Sequence, residues 1–481
     1  MNLFTTGFWT LENSDIQYHG DLYLNKDEGG IIVYIRIPNK GAPMSYFELP
    51  LEIPFINGTT INGAKIALVD CSRVSTVSRY GLEEVYGYQV KYMLEGITFE
   101  QEEDIVFSKM KISLPGIIRW GNVSNFVMPD ATQNDVLIKL NSLSPIEIYE
   151  CEKYTLSYFV SYNYTFFNLM KEEINIEQIP YLIVESKSLH SFGWFIDIVI
   201  KMKRLIEIAM GIPLQFNKMI AESPNIKWDF DDRNNHERPI EIIHALAQSS
   251  NKNSKTDSVK FLFNLNELTN NANFAQWQIN SSILEPIIEL YIDDLYNLEL
   301  SASRHFLNMI QALETYHSRF VCNGTLADYK KRVEKVIAKR PDNCKQDDRK
   351  FLLGGSHKGI SLRSRIADLL LADFRFRFYT LDLKYKDYPK VIADTRNYYT
   401  HYNQKQEEKA LKGDELVDAY YTLRNILEYY ILKELGFEES FIHERTRERI
   451  RPLRTSIEIK EHTRRKMNMK KEESHSSLTK L

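Results

Sequence analysis

The segment DYPKVIADTRNYYTHY, residues 387–402, carries the residues whose types and spacing best suit a chemical reaction. Arg396 stands five positions before His401, and Asn397 directly follows Arg396. A guanidinium offers permanently charged donors that match a phosphate, and an imidazole can transfer protons near neutral pH. Together they could cleave RNA without a metal. A ribose 2′-OH would attack the phosphate, Arg396 would stabilise the developing charge, and His401 would transfer protons.

The helix predicted over residues 389–403 decides how these side chains can meet. Its inward, largely apolar stripe is expected to consist of Val391, Thr395, Tyr398 and Tyr402. Asn397 and His401 lie one turn apart on one face, whereas Arg396 lies about 140° round the helix from His401. Arg396 and His401 therefore cannot touch on a straight helix. They can converge on one phosphate across a groove, particularly a groove formed with a second copy of the chain.

The spacing of Arg396 and His401 carries little weight by itself. By chance about 0.6 such pairs are expected in a chain with this many arginines and histidines, and one is found. A surface arginine and a helix-capping histidine would produce the same spacing. The secondary-structure elements predicted around Arg396 and His401 are therefore needed to distinguish a catalytic pair from unrelated surface residues.

The part of the chain before residue 166 has the pattern of an antiparallel β-structure. Apolar and β-branched segments broken by polar turns lie at 16–24, 31–35, 64–71, 86–98, 105–113, 136–141 and 153–162. Because no long segment of helical period separates them, an antiparallel sandwich or barrel is expected rather than a parallel sheet. The next part looks mixed, with a strand at 180–185, a helix at 189–210 and a short helix before the polar stretch 249–258.

From about residue 280 the apolar residues recur at the three-four spacing typical of helices. Helices are expected at 283–298, 301–318, 326–339, 361–373, 389–403 and 414–435. The last of these has a continuous apolar stripe that would face the core of a bundle. The predicted fold is therefore α+β and multidomain. Its parts are a β-rich domain (1–165), a mixed remainder (166–279), an all-α bundle (280–436) and a basic tail (437–481).

The net charge of −4 for the 481 residues hides an asymmetry. Residues 441–481 hold twelve Lys or Arg and six Asp or Glu, a net charge of +6, so the rest of the chain carries −10. The basic tail could follow an RNA backbone electrostatically. Its interleaved glutamates are equally compatible with a self-paired helix.

Composition excludes several classes of protein. An apolar fraction of 43% is too high for a disordered chain. The four cysteines form no CxxC pair, which argues against a zinc ribbon or a disulfide scaffold and favours reduced thiols; they are Cys71, Cys151, Cys322 and Cys344. No secretory signal is visible, and the most apolar window, 192–200, is too short for a membrane span. A soluble, cytoplasmic protein without a membrane partner is expected.

Other patterns that could bind a ligand are weaker. Gly354–Ser361 is glycine-rich, but Ile360 stands where a phosphate loop needs lysine, so an interhelical loop is favoured. The acidic group Asp229, Asp231, Asp232, His236 and Glu237 could hold Mg²⁺, but a solvated loop is favoured. His305 and His317 are interpreted as helix surface. No metal and no cofactor are therefore expected.

The helical part resembles the HEPN domain of prokaryotic defence and toxin ribonucleases, whose signature is Arg, a polar residue, three further residues and His. It resembles the ApeA-type HEPN group more closely still, through HFLNMIQALETYHSRF (305–320), ISLRSRIADLLLADF (360–374) and DTRNYYTHYN (394–403). The N-terminal half is similar to the domain that accompanies it in that group, through GFWTLE (7–12) and the segment at 18–22.

This resemblance implies a metal-independent endoribonuclease that forms a homodimer through its HEPN domain. It further implies cleavage of cellular RNA, such as tRNA, in abortive-infection defence once the N-terminal region senses a phage-derived trigger. Arg396 and His401 match the catalytic pair, and Asn397 matches the polar companion. Glu314 is a candidate supporting residue, with a solvated helix charge as the alternative. The alternative function is a non-catalytic HEPN scaffold that binds nucleotide or RNA, or that dimerises.

Overall fold

A computed structural model describes most of the chain. The described residues are 2–12, 14–25, 30–38, 49–79, 82–101, 104–114, 116–127, 139–164, 175–216, 218–227, 237–245, 260–268, 272–321, 326–339, 342, 360–370, 374 and 387–450. The chain divides into two units. The first comprises Met1–Ile206, Leu214–Ser258 and Asn264–Asn271, and the second comprises Glu207–Pro213, Val259–Phe263 and Ala272–Leu481.

In the first unit, six strands close into an antiparallel barrel. They are β1 (Asn2–Leu11), β2 (Gln17–Asn25), β3 (Ile31–Pro38), β4 (Glu52–Thr60), β5 (Lys65–Arg79) and β6 (Glu83–Glu95). Their order is β6-β3-β2-β1-β4-β5, and β5 pairs back onto β6, so that the ring has no free edge. The predicted antiparallel β-rich region, with a barrel as one of its two forms, is thereby confirmed.

Trp9 fills the barrel and shows why glycines stand beside it. Its side chain is fully buried among apolar residues of the other barrel strands. A Cβ at Gly58 would lie 2.2 Å from Trp9 Cζ3, and one at Gly20 would lie 2.8 Å from Trp9 Cδ1. Only glycine leaves room for the indole at these two positions.

The sheet continues beyond β6 with the strands β7 (Val106–Ser113), β10 (Ile146–Glu150), β11 (Tyr154–Tyr164), β12 (Ile176–Ser191), β13 (Lys218–Glu222) and β14 (Ile240–His244). From β6 outward their order is β14-β13-β7-β12-β11-β10, again with antiparallel pairs. A separate pair joins β8 (Phe126–Val127) to β9 (Lys139–Leu140). Of the strand predicted at 136–141, residues 136–138 lie outside the described residues.

The short helix predicted before residue 249 is wrong, because β14 occupies part of that segment. Ile240 and Ile242 are buried while Glu241 between them is exposed, which is the alternation of a strand. The β-branched side chains pack well on a pleated sheet, and β14 pairs with both β13 and β6.

In the described residues before position 272 the helices are α1 (Ile117–Gly121), α2 (Phe192–Met210) and α3 (Leu265–Leu268). The second unit contains α4 (Ala272–Tyr296), α5 (Ala302–Tyr316), a π-helix (His317–Val321), α6 (Leu326–Ile337), α7 (Leu362–Leu369), α8 (Tyr388–His401), α9 (Gln404–Glu407), α10 (Gly413–Glu434) and α11 (residues 439–450). None of the helices in the described ranges has the length and apolar character that crossing a membrane requires. The predicted all-α character of the C-terminal region is confirmed.

The core of the second unit is built on α10, which packs against α5 and α4. The predicted stripe of α10 is buried along its whole length, including Leu416, Leu423, Leu427 and Ile431. Spacing at three and four residues puts these side chains on one side of the helix. The apolar period read from the sequence therefore identified the central helix of this unit correctly.

The buried carboxylate of Glu428 in the second unit is paired rather than isolated. Glu428 accepts hydrogen bonds from Tyr291 Oη at 2.7 Å and Arg424 Nε at 3.2 Å, and its carboxylate lies 3.3 Å from Arg449 Nε. Such partners compensate for the desolvation of a buried carboxylate. They connect α10 to α4 and α11.

Candidate functional site

Helix α8 positions the candidate catalytic residues. It begins at Tyr388 with Pro389 in its first turn, and Tyr402, in the left-handed region at a φ of 49°, ends it. Thr395 is fully buried, and its Oγ accepts a hydrogen bond from the Leu411 backbone N–H at 3.1 Å. The chain after α8 is thereby fastened back onto the helix.

The predicted inward stripe of α8 is wrong in part. Thr395 is buried as expected, but Tyr402 is 65% exposed and Tyr398 is half-buried. The residues buried along α8 are Tyr388, Pro389, Ile392 and Thr395. The left-handed backbone at Tyr402 ends the helical periodicity there, so a stripe extrapolated through that position does not apply.

Arg396 is half-buried and lies next to two of the predicted site residues. Its Nη2 atom is 3.7 Å from Glu314 Oε2, and its Nη1 atom donates to Asn397 Oδ1 at 3.4 Å. Glu314 lies on α5, which packs against α8. The tertiary structure therefore brings Glu314, Arg396 and Asn397 together, although Glu314 is on a different helix.

His401 lies at the end of α8 with its side chain exposed. Within the described ranges it makes no hydrogen bond or ion pair. An exposed imidazole on the same helix face as Asn397 is free to approach a ligand from solvent. The arrangement thus offers a guanidinium anchored by a carboxylate and an imidazole open to solvent on one helix.

The sequence interpretation missed a polar cluster that follows Glu314 by one helical turn. His317 is fully buried in the π-helix; its Nε2 lies 2.9 Å from Asp368 Oδ2 and its Nδ1 lies 3.1 Å from Arg365 Nη1. Because a guanidinium can only donate, Nδ1 accepts and Nε2–H donates to Asp368, which identifies the neutral tautomer. The prediction that His317 lies on the helix surface is wrong.

Asp368 on α7 is the centre of this cluster. Burial tends to raise the pKa of its carboxyl, but hydrogen bonds from His317 and Arg332 outweigh burial and hold the pKa below its ordinary value. The cluster therefore links the end of α5 to α6 and α7, and α7 packs in turn on α8. The only signal in the sequence was the helical period of these segments, which does not show which polar residues face one another.

His305 is also more enclosed than predicted. Its Nδ1 donates to Asp294 Oδ1 at 2.6 Å, and Tyr420 Oη donates to the other oxygen of Asp294 at 2.6 Å. The His305 side chain is only 14% exposed. This histidine connects α5 to α4 and α10, and its interpretation as helix surface is wrong.

The remaining ligand candidates do not assemble a site in the part of the chain that the structure describes. No group of three or more His, Cys, Asp or Glu there is arranged to hold a metal ion. The candidates at 229–236 and 354–359 lie outside the described residues, as do Cys322, Cys344 and the tail beyond residue 450. Cys71 is buried and unpaired with another cysteine, and burial raises the pKa of its thiol.

Two family models match the chain. ApeA N-terminal domain 1 matches residues 5–277, and Apea-like HEPN matches residues 307–441. No curated protein and no solved structure gives a significant match. The HEPN match contains Glu314, Arg396, Asn397 and His401. Because the first model covers more than half of the 481 residues and the second follows it in the expected order, the chain belongs to the family of ApeA-type HEPN proteins.

Proposed function

We propose that this protein is a metal-independent endoribonuclease in which Arg396 and His401 carry out the reaction. The observation that supports this most directly is that Arg396 on α8 pairs with Glu314 on α5, while the same helix α8 presents His401 to solvent. A guanidinium held by one carboxylate still has donors for a phosphate. Membership of the ApeA-type HEPN family, whose HEPN domains are typically found in ribonucleases, supports the same reaction.

The reaction is a transesterification within the RNA. The ribose 2′ oxygen forms a bond to phosphorus while the bond from phosphorus to the 5′ oxygen breaks, which leaves a cyclic phosphate and a 5′-hydroxyl. The attacking 2′-OH loses one proton and the leaving 5′ oxygen gains one; His401 makes one of these two transfers and water makes the other. Arg396 stabilises the extra negative charge on the phosphate oxygens, and Asn397 orients the guanidinium through its amide oxygen.

We further propose that the active form is a homodimer made through the HEPN domain. HEPN domains commonly dimerise and bind RNA. Because Arg396 and His401 lie about 140° apart on their helix, a groove between two copies would let both face one phosphate. In the proposed biological role the protein is cytoplasmic. Its N-terminal region senses a phage-derived trigger, and cleavage of tRNA or another cellular RNA aborts the infection.

RNA from phage-challenged cells tests this proposal. Cells expressing the wild type should acquire new RNA 5′-hydroxyl ends, and cells expressing His401→Ala should not. His19→Ala, which removes an exposed histidine from β2, is the matched control and should behave as the wild type. Equal numbers of new ends with His401→Ala would contradict the proposal.

Purified protein distinguishes the nuclease from the scaffold alternative. Total tRNA is incubated with trigger-exposed wild-type protein in excess EDTA, which removes divalent metals. Cleavage that persists in EDTA supports the metal-independent nuclease. Binding of tRNA without cleavage, in protein from infected cells, supports a non-catalytic scaffold.

A further inference from the structure

Two tyrosines lie beside His401 on the exposed side of α8. Tyr402 follows His401 directly and is 65% exposed, and Tyr398 is half-buried one turn earlier. Their ring centroids are 5.6 Å apart with the ring planes at 64°. Large exposed aromatic side chains are more typical of binding surfaces than of ordinary solvent-facing helix.

The tyrosine pair is held in place by its surroundings. Tyr399 packs edge-on against both Tyr398 and Tyr402, with centroid distances of 5.0 and 6.3 Å. Its hydroxyl donates to the Leu411 carbonyl oxygen at 3.1 Å, so Tyr399 is itself fixed. Rings that are already oriented lose little conformational entropy when a ligand stacks on them.

Tyr398 lies on the helix face that carries the candidate site, and Tyr402 stands where α8 ends. At about 100° per residue, Asn397, His401 and Tyr398 occupy an arc of about 100°. Tyr402 lies outside this periodicity because its backbone is left-handed, but it directly follows His401 and its ring packs against that of Tyr398. A nucleotide whose phosphate lies near His401 can therefore place its base on the exposed Tyr402 ring.

A cation completes this surface. Lys412 Nζ lies 5.8 Å from the centroid of the Tyr398 ring, and the Lys412 side chain is 53% exposed. One of its contacts is Glu407 Oε1 at 3.0 Å, and that hydrogen bond raises the pKa of Lys412. An ammonium has three donors, so a phosphate can still be bound after this ion pair is made. The combination of aromatic faces and cations is the one that binds single-stranded nucleic acid.

We propose that the exposed ring of Tyr402, supported at its edge by Tyr398, is a stacking platform for an unpaired nucleobase next to the phosphate that His401 and Arg396 act on. This proposal rests on the proposed ribonuclease function and names its substrate class: RNA that is single-stranded at the cleavage site. Bases inside a duplex are stacked on one another and cannot reach an aromatic side chain, so the platform discriminates against double-stranded RNA.

Binding to non-cleaving protein tests the platform separately from catalysis. Full-length His401→Ala is titrated with a single-stranded RNA oligonucleotide that contains 2-aminopurine, whose fluorescence is quenched when the base stacks. Adding Tyr402→Leu should weaken binding about 10- to 100-fold and abolish the quenching, since a stacked base contributes about 1–3 kcal/mol. Adding Tyr402→Phe should preserve both, because the phenyl ring still stacks.

The matched control is Tyr164→Leu, which removes an exposed tyrosine from β11 and should leave RNA binding unchanged. Unchanged binding and quenching with Tyr402→Leu would overturn the proposal, and so would failure of His401→Ala to bind the oligonucleotide. Dissociation of a dimer by Tyr402→Leu in light scattering would also overturn it, because the tyrosines would then be a protein contact. Quenching that depends on Tyr402, in a protein that never cleaves RNA, would support the platform and refute the ribonuclease.

Discussion

The Glu314 carboxylate on α5 lies 3.7 Å from the Arg396 guanidinium on α8, although the two residues are far apart in the sequence. Both side chains are about one-third exposed, so solvent screens the pair and its contribution to stability is small. The pair instead orients the Arg396 guanidinium, because a guanidinium with one side occupied by a carboxylate presents its remaining donors in a defined direction. We therefore propose that Glu314 acts as a positioning residue in the proposed site.

Replacing Glu314 by Gln should therefore reduce activity more than stability. We expect kcat for RNA cleavage to fall about tenfold with little change in KM, because the guanidinium is less well oriented for the transition state. The free energy of unfolding should fall by less than about 1 kcal/mol. Glu299→Gln makes the same change at an exposed position between α4 and α5 and should alter neither quantity. A wild-type kcat for Glu314→Gln would contradict the positioning role.

Mixing two inactive variants tests whether the proposed site is shared between copies of the chain. Arg396→Ala and His401→Ala should each be inactive alone. If Arg396 of one copy acts with His401 of the other, random mixing restores about a quarter of the wild-type activity, because half of the dimers then contain one complete site. RNA cleavage measured after co-refolding reports this directly. No recovery, although co-purification of two differently tagged variants shows mixed dimers, would mean that both residues act from the same chain.

The same substitution at two histidines should have opposite consequences. His317→Ala removes a fully buried group bonded to Asp368 and Arg365, so we expect the free energy of unfolding to fall by about 3 kcal/mol. His401→Ala removes an exposed side chain and should change stability by less than about 0.5 kcal/mol while abolishing cleavage. Urea denaturation gives the first quantity. Equal stabilities of the two variants would show that the buried cluster is unimportant.

Stability should depend on pH through His244 at the end of β14. Burial, helped by the positive charges of Lys91 and Lys203, lowers the pKa of His244 to about 4. Between pH 6.5 and 4 the unfolded chain takes up a proton at this position and the folded chain does not, so stability is lost as the pH falls. Through this group, the free energy of unfolding at pH 5 is about 2 kcal/mol lower than at pH 7.

The glutamine of His244→Gln cannot be protonated at this position. The free energy of unfolding of this variant should therefore fall by about 2 kcal/mol less than that of the wild type between pH 7 and pH 5. Urea denaturation of the wild type and the variant at pH 7 and pH 5 measures the difference. His19→Gln, at an exposed position on β2, serves as the control and should keep the wild-type slope. Identical slopes for the wild type and His244→Gln would refute this origin of the acid sensitivity.

Periodicity explains which parts of the fold were predictable. The burial of Leu416, Leu423 and Leu427 in α10 follows from spacing within one helix, and the alternation in β2 and β3 follows from spacing within one hairpin. Prediction failed where local pattern and tertiary environment disagree. The β14 segment is short enough for either conformation, and pairing with β6 and β13 made it a strand.

The amino-acid sequence by itself determined the fold class and the helix that carries Arg396, Asn397 and His401, because these depend on residue type and on repeats within a single element. Its resemblance to the ApeA-type HEPN group supplied Glu314 as a candidate supporting residue. Only the tertiary structure decided that Glu314 contacts Arg396, that His317 is buried, and that Tyr402 is exposed. Such facts depend on how α5, α7 and α8 pack, and contacts between elements distant in the chain leave no periodic signal in the sequence.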